Sequence, residues 1–426
     1  MFILFLLKKR KSLVKKYEKN WLSDKFISNA EKLLINAHEK VFFAIIMQLK
    51  NNQDLCNKYN INYKQKVITT LADVALQKHK IYSKAQNYID SRLFEKHLIN
   101  LSKEIEFNIE FYKKISGDNK EYYDKSIGAL FGLATGDALG TTLEFEFPPE
   151  KLHTEIIGGG KFQLSEGEWT DDFSMAWCIT KSLLRDGFNL KSQMDFYAKW
   201  SRFGELSSNG TCFDIGVTTS NAIKRYITLE DYIAGSKERH HAGNGSIMRL
   251  SPIPIYANSI EEAIHQSGES SKTTHGSSEC IESCQLLGGM LFELINREFK
   301  SKKEFFDKFL LENADKFNFE EPKVKHLFDK SSWINLEYDD LPNSGYVIDT
   351  MISALWCFYH TDTFEDALIK VVNLAGDSDT MGAVCGQIAG AYYGYSNIPE
   401  RWASKIKFKD EIIQDAYLLA DNKKDK

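Results

Sequence analysis

The chain has 426 residues, of which 43% are hydrophobic and 27% are charged, and its formal net charge is −5. This composition excludes an intrinsically disordered or collagen-like chain, and the length predicts two or three domains with a sizeable core. Seven cysteines without a CxxC pair predict reduced thiols, and therefore a cytoplasmic protein.

The chain begins with seven apolar residues, Met1 to Leu7, followed by four basic residues. A membrane-spanning helix needs about 20 apolar residues, and a signal peptide carries its positive charge first, so we expect neither. We interpret the segment as the start of an amphipathic helix. Anchoring to the surface of an anionic membrane is the alternative.

Residues 1–125 contain 24 Lys and Arg against 14 Asp and Glu, whereas the rest of the chain contains 30 against 45. This asymmetry predicts two units with different partners, or two units that attract each other. No glycine precedes Gly117 and no proline precedes Pro148, and apolar residues recur at spacings of three and four. The pattern predicts a first domain of three to five helices, residues 1–120. Its aromatic residues lie at the spacing of a helical core, so we expect a protein partner rather than nucleic acid.

From Tyr123 onwards glycine becomes frequent, and a second domain is predicted over residues 125–420. Four glycines recur at every fourth residue between Gly128 and Gly140, and a similar run begins at Gly382. On a helix such residues form one stripe along which another backbone can come close. Glycine costs a helix about 1 kcal/mol relative to alanine, which favours tight packing as the reason for both stripes. Since strand-like alternation is scarce, we predict an all-α fold.

Two acidic clusters stand at the start of apolar helical runs. Their members are Thr170, Asp171 and Asp172 in the first, and Asp377, Asp379 and Thr380 in the second. Either cluster alone is also typical of helix capping. Together they favour a metal site, because four crowded aspartates would repel one another without a cation and Mg²⁺ prefers oxygen ligands. Two ions sharing such a site would jointly polarise a substrate.

Four further segments are candidate substrate contacts. The turn Gly243-Asn244-Gly245-Ser246 presents backbone N–H groups that suit phosphate or ribose oxygens, although it is also an ordinary glycine-rich turn. His275 is a lone histidine, and a structural role is its plainer interpretation. Tyr346 can stack on a base or a ribose. Asp214 is a single carboxylate in a turn-rich segment, and we include it among the catalytic candidates.

Taken in order along the chain, these motifs resemble the ADP-ribosylglycohydrolase family, which includes the dinitrogenase reductase-activating glycohydrolases. The resemblance runs from Ile127 to about Trp402, roughly two-thirds of the chain. The matching stretches are Gly128 to Phe145, Trp169 to Asp172, Phe213 to Gly216, Gly243 to Gly245, Thr274-His275, Gly345 to Thr350 and Gly376 to Thr380.

The resemblance implies an orthogonal bundle of helices, here preceded by a smaller helical domain, with two Mg²⁺ (or Mn²⁺) ions. It implies that Asp379 bridges the ions and that Glu144 occupies an acidic position that approaches them in some relatives. Glu144 and Asp172 are then candidate proton acceptors. Gly243, Asn244, Gly245 and Ser246 would line the path of ADP-ribose, and His275 and Tyr346 would contact nucleotide or ribose. One ion would be bound by Thr170, Asp171, Asp172 and Asp379, and the other by Asp377, Asp379 and Thr380.

The resemblance also implies the activity: metal-dependent hydrolysis of the glycosidic bond between ADP-ribose and an acceptor, most often arginine on a protein. Serine, nucleic-acid and small-molecule acceptors remain open, and we expect a monomer. Some bacterial relatives resemble immunity proteins and carry an added N-terminal segment that blocks the toxin, so the resemblance also implies an immunity protein whose residues 1–120 bind an ADP-ribosyltransferase toxin. A catalytically inactive protein that binds ADP-ribose or a partner and acts by occlusion is the alternative. It draws on Phe173, which stands where the family usually has threonine.

Overall fold

A computed structural model describes residues 119–422, and the first domain predicted for residues 1–120 lies outside this range except for its last two residues. Within the described part there are fourteen α-helices and no β-strand, which confirms the predicted all-α class there. The helices are α1 (Lys120–Gly140), α2 (Asp171–Asp186), α3 (Leu190–Phe203), α4 (Val217–Leu229), α5 (Pro252–Tyr256), α6 (Ile260–Ser271), α7 (Ser278–Asn296), α8 (Lys302–Asn313), α9 (Pro322–Phe328), α10 (Val347–Tyr359), α11 (Phe364–Val372), α12 (Ser378–Tyr393), α13 (Glu400–Ala403) and α14 (Lys409–Asp421).

Helices α1 and α12 form the central pair of the fold, and their two glycine stripes face each other. A Cβ atom added at Gly136 would lie 1.9 Å from the carbonyl oxygen of Gly382, and one added at Gly390 would lie 1.9 Å from that of Gly128. Side-chain carbons do not come that close to a backbone oxygen, so the helices touch only because both lack Cβ atoms there. We call this contact the glycine seam; it pairs Gly128 with Gly390, Gly132 with Gly386, Gly136 with Gly382, and Gly140 with Ser378.

The seam is antiparallel, so the end of α1 meets the beginning of α12. The hydroxyl of Ser378 donates to the carbonyl oxygen of Gly140 at 2.8 Å. A Cβ at Gly140 would lie 2.6 Å from Cα of Asp379. The seam therefore brings the second acidic cluster beside the last turn of α1.

Helix α2 carries the first acidic cluster to the same place. Thr170 has extended backbone angles immediately before the helix, and Asp171 and Asp172 occupy its first turn, where the helix dipole favours negative charge. The backbone N–H of Thr170 donates to Asp137 of α1 at 2.8 Å. Helices α2, α7, α10, α11 and α14 all contact the central pair. Both acidic clusters thus meet at one end of the seam.

A helix needs about 20 predominantly apolar residues to span a membrane. None of the helices between residues 119 and 422 is both long enough and apolar enough to cross a bilayer.

The glycine seam predicts a large cost for a single methyl group. The substitution Gly136→Ala should lower the free energy of unfolding by about 3 kcal/mol, because the new Cβ forces α1 and α12 apart. The measurement is urea unfolding of the full chain, followed by tryptophan fluorescence. Six of the seven tryptophans lie within residues 119–422.

The matched control is Gly216→Ala. Gly216 precedes α4 with a negative φ, and an added Cβ there would meet no atom within 4 Å. This variant should unfold at nearly the same urea concentration as the unaltered protein. Equal losses of stability for the two variants would show that the seam is not the tight contact described here.

Candidate functional site

Five carboxylates from four segments converge at the end of the glycine seam. They form two groups of three, and within each group one oxygen of every residue lies within 4.8 Å of the others. Because Asp379 belongs to both groups, it has the place that a bridging ligand requires. The first group is Asp137, Asp172 and Asp379, and the second is Glu144, Asp377 and Asp379.

The hydroxyl of Thr170 lies at the centre of the first group. Its oxygen is 2.9 Å from Asp172, 3.0 Å from Asp137 and 3.3 Å from Asp379. A hydroxyl carries one proton, so it can satisfy only one of these carboxylates at a time. Asp137 is further held by the N–H groups of Thr170 at 2.8 Å and Phe173 at 3.0 Å, which fix its orientation.

Backbone contacts and one amide hold the second group. Glu144 forms an isolated parallel bridge with Gly376, immediately before Asp377. The side-chain amide of Asn244 donates to Asp377 at 2.6 Å and to the Thr350 hydroxyl at 2.8 Å. The second acidic cluster is therefore connected to the predicted substrate turn through Asn244.

Burial of these carboxylates shifts their protonation strongly. Asp137 and Asp172 are 0% exposed, Asp379 is 1% exposed and Glu144 is 2% exposed. Burial raises the pKa of Asp137 to about 7. Burial, with repulsion from Asp214 and Asp377, raises the pKa of Glu144 to about 10. The pKa values of Asp172 and Asp379 also lie well above the ordinary range, for the same two reasons.

Two buried oxygens of the site have no hydrogen-bond partner among residues 119–422: Oε2 of Glu144 and Oδ1 of Asp172. Unpaired buried carboxylate oxygens are costly, and such atoms in folded proteins usually have an ion or a water as partner. Hard divalent cations take oxygen ligands of this kind. The residues present therefore fit a divalent metal ion, in agreement with the acidic character expected from the sequence.

Three other predicted residues border the two groups. Asp171 is buried, and burial together with Asp214 and Asp172 raises its pKa well above the usual range, but it belongs to neither group. Asp214 is partly exposed with a left-handed φ of 58°, and it shares a hydrogen bond with Asp379. Thr380 hydrogen-bonds Asp377 through its side chain. Their roles as ligand or catalyst stay predictions.

The predicted substrate turn is anchored on both sides by backbone bonds. The N–H of Asn244 donates to the carbonyl oxygen of Gly345 at 3.0 Å, and Gly243 forms an antiparallel bridge with Tyr346. The Tyr346 hydroxyl donates to the buried carboxylate of Glu279 at 2.6 Å. The turn is therefore a fixed element beside Asp377.

His275 packs against Gly245 of this turn, and Ser246 is the last residue of the turn. A Cβ at Gly245 would lie 2.7 Å from the His275 ring, so only glycine leaves room for it. His275 is 3% exposed, and burial lowers its pKa to about 3. Ser246 is also buried and accepts a hydrogen bond from Ser271 at 3.0 Å. These contacts fit a structural role for both, and their predicted contacts with substrate stay predictions.

Sequence reasoning missed Asp137 as a candidate ligand. It lies between Gly136 and Gly140, and its carboxylate is the only charged group in the run from Gly128 to Gly140. A charged residue among the small and apolar residues of a closely packed helix was the available signal. The hydrogen bond from the Asn244 side-chain amide to Asp377 was likewise not predicted, and the contact of Asn244 with the substrate stays a prediction.

Phe173, the departure from the family pattern, packs beside the first acidic cluster. Its ring packs against Trp169 at 4.9 Å and Trp177 at 5.9 Å, within an aromatic cluster. Its backbone N–H still donates to Asp137. It therefore supplies no argument for an inactive site.

A sequence profile of the ADP-ribosylglycohydrolase family matches residues 118–426. An ADP-ribosylarginine hydrolase, Tri1, of Serratia proteamaculans is 41% identical over 68% of this chain and 78% of its own length. The ADP-ribosyl-[dinitrogen reductase] glycohydrolase of Rhodospirillum rubrum is 32% identical over 68% of this chain and 92% of its own. A solved ADP-ribosylglycohydrolase-related protein complex superposes with a TM-score of 0.62 and 34% identity, over 71% of this chain and 99% of that one.

The raised pKa values predict how the metal-free protein responds to pH. Asp137 has an ordinary pKa of 3.8 and about 7 when folded, so the folded state holds its proton more tightly than the unfolded state. The contribution of Asp137 to the free energy of unfolding is therefore fully present below about pH 4, and it is lost as the pH rises towards 7. In chelator, the melting temperature should therefore fall between about pH 5 and about pH 8.

Asp172→Asn should raise the stability of the metal-free protein at about pH 8 by about 1 kcal/mol or more, because one buried charge is removed. Magnesium should stabilise the unaltered protein at that pH and stabilise the variant less, because Asp172 belongs to only one of the two carboxylate groups. A melting temperature that is independent of pH in chelator would contradict the electrostatic account of the site.

Proposed function

Since the chain belongs to the ADP-ribosylglycohydrolase family of glycosidic-bond hydrolases, we propose that it removes ADP-ribose from arginine side chains of modified proteins in a metal-dependent reaction. The observation that carries the proposal is the pair of carboxylate groups that share Asp379. The arginine acceptor is supported by the similarity to the Serratia ADP-ribosylarginine hydrolase. The protein substrate is supported by the name of the Rhodospirillum relative.

We assign the metal centre to two Mg²⁺ ions, with Mn²⁺ as a substitute. Asp137 and Asp172 would hold one ion, Glu144 and Asp377 the other, and Asp379 both. When bound, the ions would polarise the ribose hydroxyls and the attacking water. The Thr170 and Asn244 side chains would keep the carboxylates oriented, as the hydrogen bonds to Asp172 and Asp377 do in the structure.

Acidic and basic side chains of the protein would carry out the proton transfers of the reaction. As the bond from the anomeric carbon to the arginine nitrogen breaks, oxocarbenium character develops at that carbon and the water oxygen bonds to it. The departing guanidine nitrogen must receive a proton, and a base must take a proton from the attacking water. Glu144 is the first candidate, because its Oε2 is buried and has no partner among residues 119–422. Asp172 is the second for the same reason at its Oδ1, and Asp214 would orient groups at the exposed side. The turn at Gly243–Ser246 would donate N–H groups to phosphate oxygens, apart from that of Asn244, which donates to the Gly345 carbonyl oxygen.

Residues 1–120 carry the second half of the proposal, in which this protein confers immunity against an ADP-ribosylating toxin. The support is the basic charge of that segment against the acidic remainder, which suits a separate protein partner. A truncated chain lacking residues 1–118 should hydrolyse modified arginine as before and lose binding to the toxin. Unchanged toxin binding would exclude this role for the segment.

Asp379→Asn should abolish release of ADP-ribose from arginine-modified protein, by at least about 100-fold, because it removes the carboxylate common to both groups. The measurement is release of labelled ADP-ribose with Mg²⁺ and again with chelator. The unaltered protein should be active only with the metal.

The matched control is Asp307→Asn on α8, where the carboxylate forms exposed ion pairs with Lys303 and Lys330. Such surface pairs contribute little, so activity should be unchanged. Full activity in chelator, or in Asp379→Asn, would refute a metal-dependent hydrolase. Metal binding without release from any arginine-modified protein would point to another acceptor.

A further inference from the structure

An exposed aromatic residue stands directly beside the site carboxylates. Phe145 follows Glu144 and is 58% exposed. Its backbone N–H donates to the carbonyl oxygen of Gly376 at 2.6 Å, and its φ of 62° lies in the left-handed region. That region is unfavourable for a bulky side chain, so the Phe145 backbone is held in place by its attachment to the segment before Asp377.

This ring carries a cation of the chain on its face. The ammonium nitrogen of Lys161 lies 3.8 Å from the centroid of the Phe145 ring and 5.5 Å from that of Phe162. The Phe162 ring in turn contacts Phe213, with 5.3 Å between their centroids. We call Phe145, Phe162 and Phe213 the aromatic rim. It already provides the geometry of a cation–π site, in which a cation sits within about 6 Å of a ring centroid.

The rim adjoins the carboxylates at both of its ends. Phe145 directly follows Glu144 in the sequence, and Phe213 directly precedes Asp214. Lys161 is exposed and lies on a turn after three consecutive glycines with positive φ, so its side chain can leave the ring without disturbing a buried contact. The rim thus combines aromatic faces, nearby negative charge and a displaceable internal cation.

We propose that the aromatic rim is the acceptor subsite and binds the guanidinium of ADP-ribosylated arginine in the position that Lys161 now occupies; this rests on the proposed function. Guanidinium is planar, weakly hydrated and stacks readily on aromatic faces. The adjacent carboxylates favour its positive charge. An uncharged acceptor, such as a serine-linked one, gains nothing from the rim, so the rim determines specificity for arginine.

Phe145→Leu tests the rim while keeping a bulky side chain at the same left-handed position. The expected result is a KM for ADP-ribosylarginine raised about fivefold to tenfold with kcat little changed, as for loss of a cation–π contact. The inhibition constant of free ADP-ribose, which has no acceptor, should stay the same. The matched control is Phe147→Leu, because Phe147 is 89% exposed and lies outside the rim; its kinetics should be unaltered.

Lys161→Ala gives an independent test on an exposed residue. Without the competing ammonium, the KM for ADP-ribosylarginine should fall, and the inhibition constant of free ADP-ribose should be unaffected. An unchanged KM in Phe145→Leu, or an equal loss of affinity for free ADP-ribose, would overturn the proposal. So would a higher KM in Lys161→Ala.

Failure of the proposed function would be visible separately, as absence of arginine release by the unaltered protein. The rim is then judged by calorimetric binding of ADP-ribosylarginine and of ADP-ribose to that protein with Mg²⁺. Tighter binding of the arginine conjugate that is lost in Phe145→Leu would support the rim. Equal affinities for the two ligands would overturn it.

Discussion

The close contact of α1 and α12 along the glycine seam is the constraint on which the rest of the structure depends. Two helix backbones meet where a Cβ on either side would lie about 2 Å from a carbonyl oxygen. Because the contact is antiparallel, it fixes Asp137 of α1 and Asp379 of α12 at the same end. Glycine lowers the intrinsic stability of both helices, so the packing of the pair must compensate for that loss. The small residues are therefore required for the position of the site as well as for the core.

The site that the seam creates is electrostatically unfavourable without a cation. Asp137, Asp172, Glu144 and Asp379 are nearly or fully buried, and burial raises the pKa of each. Hydrogen bonds from Thr170 and Asn244 satisfy some of their oxygens but not all. A divalent ion would neutralise the charge and occupy the unpaired oxygens together. The burial of these carboxylates would thus lower the stability of the metal-free protein, and metal binding would raise it again.

Sequence reasoning recovered what depends on local periodicity. The glycine stripes, the all-α class and the two acidic helix starts follow from spacings of three and four and from residues at the first turn. Asp137 and the support of Asp377 by Asn244 did not follow, because both depend on which distant segments meet. Asp137 accepts a hydrogen bond from Thr170, which is 33 residues away in the sequence, and Asn244 donates one to Asp377, which is 133 residues away. The contact of the Lys161 ammonium with the Phe145 ring is of the same kind, and it could not be predicted from the sequence.

We propose that the buried carboxylates hold two divalent ions that share Asp379. The most direct measurement is anomalous X-ray diffraction at the manganese edge from crystals of the full chain soaked in Mn²⁺. The account predicts two strong peaks, one among Asp137, Asp172 and Asp379 and the other among Glu144, Asp377 and Asp379. Absence of any peak at these carboxylates would contradict it.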